Sequence, residues 1–253
     1  MEATLGNESL ARSRTQRFYL WMAVVFVLIA FGGFTPTYWA PVARGMFHVP
    51  PIVHIHGALL FSWTLFYLLQ TVLVASGRTP RHRSWGLFGI SLFSVMVCSI
   101  LVTRVTLMHF EDLQGFGEAS LRFSAIAFCS VPLLVAFFAL AISNIRRPEI
   151  HKRFMYLLMS GLMIPALARI FLTMLAPAGA MGPPPPFVVI PPTLTASLLI
   201  VVALVHDWRT RGRPHPVYVY GGIMLIAWTI LIVPFANTNF WLNISRSVRA
   251  LGG

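Results

Sequence analysis

Seven apolar runs, each about long enough to cross a bilayer, are separated by polar breaks too short to hold a domain. They lie near residues 17–39, 51–76, 85–109, 119–144, 154–176, 187–206 and 216–238. At about 1.5 Å of rise per residue, roughly 20 residues span a hydrocarbon core of about 30 Å. Hydrophobic residues make up 57% of the chain and charged ones only 10%, against about 25% charged in a soluble domain. No soluble interior hides that much apolar surface, so lipid must be the solvent for most of it. The predicted fold class is therefore all-α: a polytopic membrane protein with seven transmembrane helices. One transmembrane domain covers 17–238, preceded by a segment 1–16 and followed by a tail 239–253.

Basic residues set the expected orientation. The first segment holds Arg12 and Arg14, with Arg17 at its border. The break 77–84 holds Arg78, Arg81 and Arg83, and the break 145–153 holds Arg146, Arg147, Lys152 and Arg153. Arg209, Arg211 and Arg213 lie in 207–216. These alternate breaks carry 13 of the 19 basic residues. The positive-inside rule puts them in the cytoplasm, giving N-in and, after seven crossings, C-out. Arg246 and Arg249, in the outer tail, run against this. The formal charge of +12 thus reads as orientation and does not indicate nucleic acid. The first run is too long for the apolar part of a cleavable signal peptide and is expected to stay as a helix. Lys152 is the only lysine, a bias that fits a GC-rich bacterial genome; the expected location is the bacterial inner (plasma) membrane. Cys98 and Cys129 each lie within an apolar run and read as small core residues, not as a metal pair or a disulfide.

The three basic turns share a pattern: Arg78-Thr-Pro-Arg-His82, Arg147-Pro-Glu-Ile-His151 and Arg211-Gly-Arg-Pro-His215. Each is Arg, three residues, then His, with a Pro inside, and the histidines are 69 and then 64 residues apart. The chain reads as one lead helix plus three helical hairpins, 2–3, 4–5 and 6–7, with the character of an internal repeat. One use of the motif is hairpin closure, with Arg on the last carbonyls of one helix and His bonding across the turn. A second is a cytoplasmic cluster of His82, His151 and His215, with His206, holding a metal. A third is attraction of anionic headgroups. Pro132, Pro165, Pro191, Pro192 and Pro234 mark predicted helix kinks and candidate cavities.

The remaining histidines, His48, His54, His56 and His109, fall on the other side. His56, Trp63 and Gln70 are seven apart, with Leu60 and Tyr67 between, so they share a helix face that should turn inward. His54 lies roughly 200° around the helix from His56. Arg104, Arg122 and Arg169 lie in spans, all in the outer half, where an ionisable group is a functional hypothesis by default. Thr173 follows Arg169 by one turn; Asn237, Asn239, Glu111, Asp112 and Glu118 lie at the same level. Ion pairing or snorkelling is the plain reading of the group, and Arg169, the deepest, is the best single candidate for binding a ligand.

Two classes of function follow. A redox or assembly-type protein would bind haem b through His56 and His109, with Arg104 and Arg169 on the propionates and Trp63 and Tyr67 as apolar wall. In a variant, His56, His109 and Glu111 hold a transition metal. The alternative class is a transporter, receptor or accessory subunit whose arginines bind an anionic small molecule or lipid, alone or within a membrane-protein complex. A purely structural subunit is the third reading. The chain has no CxxCH, GxSxG or HExxH, and no lysine in span 7 for a retinal Schiff base. No reaction is implied.

Arg81-His82-Arg83 and His151-Lys152-Arg153, with His56-Gly57 and Trp63 of span 2, resemble hairpins of uncharacterised bacterial multi-spanning membrane families. Some of those families are linked to oxidase or haem-protein assembly. The resemblance covers short loops and part of one span, and it transfers no catalytic residue.

Overall fold

The computed structural model describes residues 2–177 and 180–251, with side chains from Thr15 onward. The side chains of Arg12 and Arg14, counted above toward orientation, lie outside the described residues, as do positions 178–179 of the Pro-Gly stretch and 252–253 of the tail. All regular structure among the described residues is helical. Seven helices are long and apolar enough to cross a membrane: spans 1 to 7 are Thr15–Ala43, Pro51–Ala75, Gly86–Leu113, Gly117–Ser143, Pro148–Leu175, Pro186–Arg211 and Pro216–Phe235. This is an integral membrane protein in contact with the lipid bilayer. The first helix is continuous from Glu2 to Gly33, so span 1 begins inside it.

Several helix ends differ from those read off hydropathy, and three of them matter most for charge. Span 3 runs to Leu113 rather than 109, span 5 starts at Pro148 rather than 154, and span 6 ends at Arg211 rather than 206. Hydropathy marks where a helix stops being apolar; local chemistry marks where it stops being a helix. Pro148 suits a first helical turn, where its missing N–H costs nothing. Gly212, at φ +73°, supplies the left-handed residue that ends span 6. Charged residues assigned to loops by hydropathy, Arg153 and Asp207 among them, are therefore on helices.

The three hairpins 2–3, 4–5 and 6–7 form antiparallel pairs, and span 1 packs on spans 2 and 5. Span 5 is the hub, touching spans 1, 4, 6 and 7. Its residues Tyr156 to Gly161 are all buried. Small residues let its neighbours approach: a Cβ on Gly33 of span 1 would come 2.5 Å from the Ala166 carbonyl oxygen. Close backbone approach through such residues replaces the hydrophobic drive that lipid removes. Outward-facing Leu28, Leu87, Leu198 and Ile223 are exposed, as a lipid-facing surface should be. Trp21, Trp85 and Trp208 are exposed at the end carrying the Arg-x-x-x-His turns, here called the basic end, and Trp39 at the far end. Tryptophan at both levels is the usual headgroup anchor.

The prolines behave differently from one another. Pro165 interrupts span 5 at Met163. Pro191 and Pro192 sit in a first helical turn, not at a kink. Pro132 lies inside an unbroken helix; beside the carbonyl it strips of a donor, the Cys129 carbonyl accepts from Trp228 Nε1 of span 7 at 2.7 Å. Span 1 carries a break that proline alone did not predict in kind, a π-helical turn over Thr35–Trp39. The cysteines differ: Cys98 is exposed, whereas Cys129 is half-buried and packs against the cluster of Ala125, Ile232, Ala236 and Trp241.

Beyond span 7 the chain forms a further helix, Asn239–Ala250. Trp241 and Leu242 are buried against span 4, and Trp241 Nε1 donates to the Leu121 carbonyl at 3.0 Å. Arg249 pairs with Asp112 at 2.5 Å and Arg246 with Glu118 at 3.6 Å. The two arginines that ran against the orientation thus neutralise acids at the far end.

Candidate functional site

Polar side chains gather at two levels. In the far half, His56 Nδ1 lies 2.9 Å from Ser99 Oγ, and Ser99 donates its only proton to the Met96 carbonyl at 2.6 Å. Ser99 therefore accepts, and His56 is the donor through Nδ1–H, leaving Nε2 with a lone pair. His54 faces the other way, its Nδ1 3.0 Å from Tyr38 Oη of span 1. Trp63 and Tyr67 are buried; Trp63 packs on Phe93 and Phe138, with its indole N–H unpartnered.

His56 and His109 are not brought together. Ser99, which holds His56, is ten residues from His109 on span 3, about 15 Å along the helix axis. Two axial haem ligands, or two ligands of one metal, cannot sit that far apart. Glu111, the third member of the metal trio, is taken by Arg104 and Ser120 in close contacts. Among the described residues no three His, Cys, Asp or Glu side chains gather where one ion could reach them.

The three in-span arginines differ. Arg104, 6% exposed, bonds Glu111 and also Ser120 Oγ at 2.6 Å. Arg122 bonds Glu118 and Asn237, both at 2.9 Å. Arg169 has no carboxylate within ion-pair distance among the described residues. Arg169 is exposed as a residue, and its guanidinium lies 5.8 Å from the centre of the Phe34 ring and within electrostatic range of Glu111. The second half of span 5, which carries it, packs against the π turn Thr35–Trp39, where Thr37 Oγ1 is buried without a partner.

The basic end holds a network the sequence reading did not find. Arg153 and Asp207 are each 1% exposed and form a two-pronged pair: Nε to Oδ2 at 2.9 Å and Nη2 to Oδ1 at 2.5 Å. The third guanidinium nitrogen donates to the Glu149 carbonyl at 2.6 Å and its carboxylate at 2.7 Å. Asp207 also accepts from the His215 backbone N–H at 3.2 Å. Tyr218, under Arg153, shares a 2.9 Å hydrogen bond with Tyr19 of span 1. One signal was available: Glu149 and Asp207 are the only acids in the three basic breaks.

The three turn histidines do not meet as a trio. His215 caps span 7, its Nδ1 accepting from the Val217 N–H at 3.2 Å. His82 and His151 face each other, ring centres 6.3 Å apart. Burial, His151 and then Arg83 hold the His82 imidazole below its ordinary pKa. His206 stacks on Phe18 at 3.9 Å. Arg78 and Arg147 are exposed, and Arg211 reaches Glu149 at 3.5 Å.

Comparison with known protein families, curated proteins and solved structures finds no match.

Proposed function

We propose that this protein binds an anionic solute or an anionic lipid headgroup at Arg169, in the outer half of a bundle whose basic end faces the bacterial cytoplasm. The observation that carries the reading is a guanidinium on a membrane span with no ion-pair partner among the described residues. An arginine at this depth is costly unless something compensates it. Arg104 and Arg122 touch carboxylates; Arg169 touches the Phe34 ring, a weak cation–π partner, and feels Glu111 only at longer range. A phosphate or carboxylate suits its fork of donors. The adjoining π turn supports a site here, since such turns are frequent where helices bind something. The haem reading would need His56 and His109 at one centre, so the anionic-ligand reading is the stronger of the two.

The test is thermal unfolding of the purified protein in neutral detergent. Phosphatidylglycerol, or free phosphate or citrate, is expected to raise the melting temperature of the wild type and not of Arg169→Ala. Phosphatidylcholine serves as the neutral control. A lipid-only response identifies a headgroup, and a response to the soluble anions identifies a solute. Equal stabilisation of wild type and variant sinks the reading.

A further inference from the structure

At the basic end, three half-buried polar side chains from three elements neighbour one another, each with one atom for which no hydrogen bond is made. Gln70 on span 2 donates through Nε2 to the His82 carbonyl at 3.4 Å, and its Oε1 has no partner. His82, in the turn between spans 2 and 3, has a buried Nδ1 with no partner. His151, in the first turn of span 5, has Nδ1 2.8 Å from the Ala141 carbonyl. A carbonyl only accepts, so His151 carries its proton on Nδ1 and its Nε2 is a bare lone pair. That is the arrangement by which a backbone carbonyl orients a ligating imidazole and raises its basicity.

The spacing suits an ion. With metal–nitrogen bonds of about 2.0–2.1 Å, two ligating imidazoles have ring centres roughly 5–6.4 Å apart, the wide value belonging to a nearly linear N–metal–N angle. His82 and His151 stand at 6.3 Å with planes 79° apart. We propose that Gln70, His82 and His151 form a site for one copper ion, whose square-planar Cu²⁺ form takes two imidazoles at the wide angle that the 6.3 Å spacing needs, where tetrahedral zinc does not. The amide oxygen supplies the third donor, which is why no group of three His, Cys, Asp or Glu marks the place. The ion would tie the turn of hairpin 2–3 to the start of span 5. The first two Arg-x-x-x-His turns thus share one ion, while the third uses its histidine as a helix cap.

The test uses tag-free protein, stripped with chelator and dialysed against Cu²⁺. The wild type is expected to retain about one equivalent by elemental analysis. His82→Ala and His151→Ala should each retain less than about a tenth of that, Gln70→Leu should bind at least several-fold more weakly, and His109→Ala should match the wild type. Electron paramagnetic resonance of the Cu²⁺ form adds a readout that needs no variant to fold: hyperfine structure from two nitrogens is expected. A wild type that retains no metal, or binding that survives loss of both histidines, overturns the proposal; the orphan atoms would then be bridged by water.

Discussion

The two ends of the bundle spend their charges in opposite ways. At the basic end, Arg153 and Asp207 are 54 residues apart in sequence, fully buried, and join span 5 to span 6. At the far end, Arg104 and Glu111 are seven residues apart on one helix, with Ser120 of the next span between them. The first pair fixes how hairpins assemble, whereas the second trims the end of one hairpin-to-hairpin connection. The far end also leaves Arg169 uncommitted, while the basic end binds its two acids so fully that its remaining arginines face outward. Long-range ion pairing is thus buried at the basic end and partly exposed at the far end, where Arg249–Asp112 and Arg246–Glu118 tie the terminal helix to spans 3 and 4.

Breaking the buried pair tests that contrast most severely. Asp207→Ala strands a guanidinium in the interior and removes the acceptor for the His215 N–H. Such a loss costs about 3–5 kcal/mol. The expected result is a large drop in the melting temperature or in the yield of monodisperse protein. Replacing both partners, Arg153→Met with Asp207→Leu, should recover much of it, because an apolar pair of similar volume leaves no uncompensated charge. If the double replacement is as damaging as the single one, the pair is not acting as a unit. Glu111→Gln is expected to cost less, about 1–3 kcal/mol, since Arg104 keeps an amide oxygen and Ser120 as acceptors. A Glu111→Gln protein less stable than Asp207→Ala would reverse the ranking of the two ends.

Arg169→Ala sharpens the comparison from the other side. A guanidinium left uncompensated at membrane depth is costly, so its removal should not lower stability. The variant should therefore melt at or above the wild type when no anion is added and lack the gain that an added anion gives the wild type. A large loss of stability without any ligand would mean that Arg169 belongs to the structural set.

Much of the fold was legible because the bilayer imposes a length and a polarity that hydropathy measures directly; all seven spans follow from it. The stripe His56, Trp63, Gln70 was legible too, because helical period alone orders a face. What escaped was pairing across the bundle. Arg153 counted as one more basic residue on one side of the membrane, and Asp207 as the start of a loop. Nothing in either local window says that span 5 is central or that span 6 continues past His206 to Arg211. Likewise, placing His56 and His109 at one level treated depth as proximity. Depth came from topology, but the actual offset depends on where along span 3 the neighbouring helix makes contact, which is at Ser99.

The smallest expected effect lies at the third turn. Burial, followed by the charges of Arg153 and Arg211, holds the His215 imidazole below its ordinary pKa. The folded protein therefore resists a proton that the unfolded chain accepts near pH 6.5. Above that pH both states are neutral there, and the cap from Val217 N–H to Nδ1 contributes in full. As pH falls below about 6.5 the unfolded chain binds the proton first, so this contribution declines and is lost through the lowered folded value. His215→Asn keeps a side-chain acceptor at the cap and cannot titrate. Melting temperatures measured from pH 8 to pH 5 should thus fall slightly more steeply for the wild type than for His215→Asn. Parallel curves would show that the cap does not sense pH, and that the basic end differs from the far end by its buried ion pair alone.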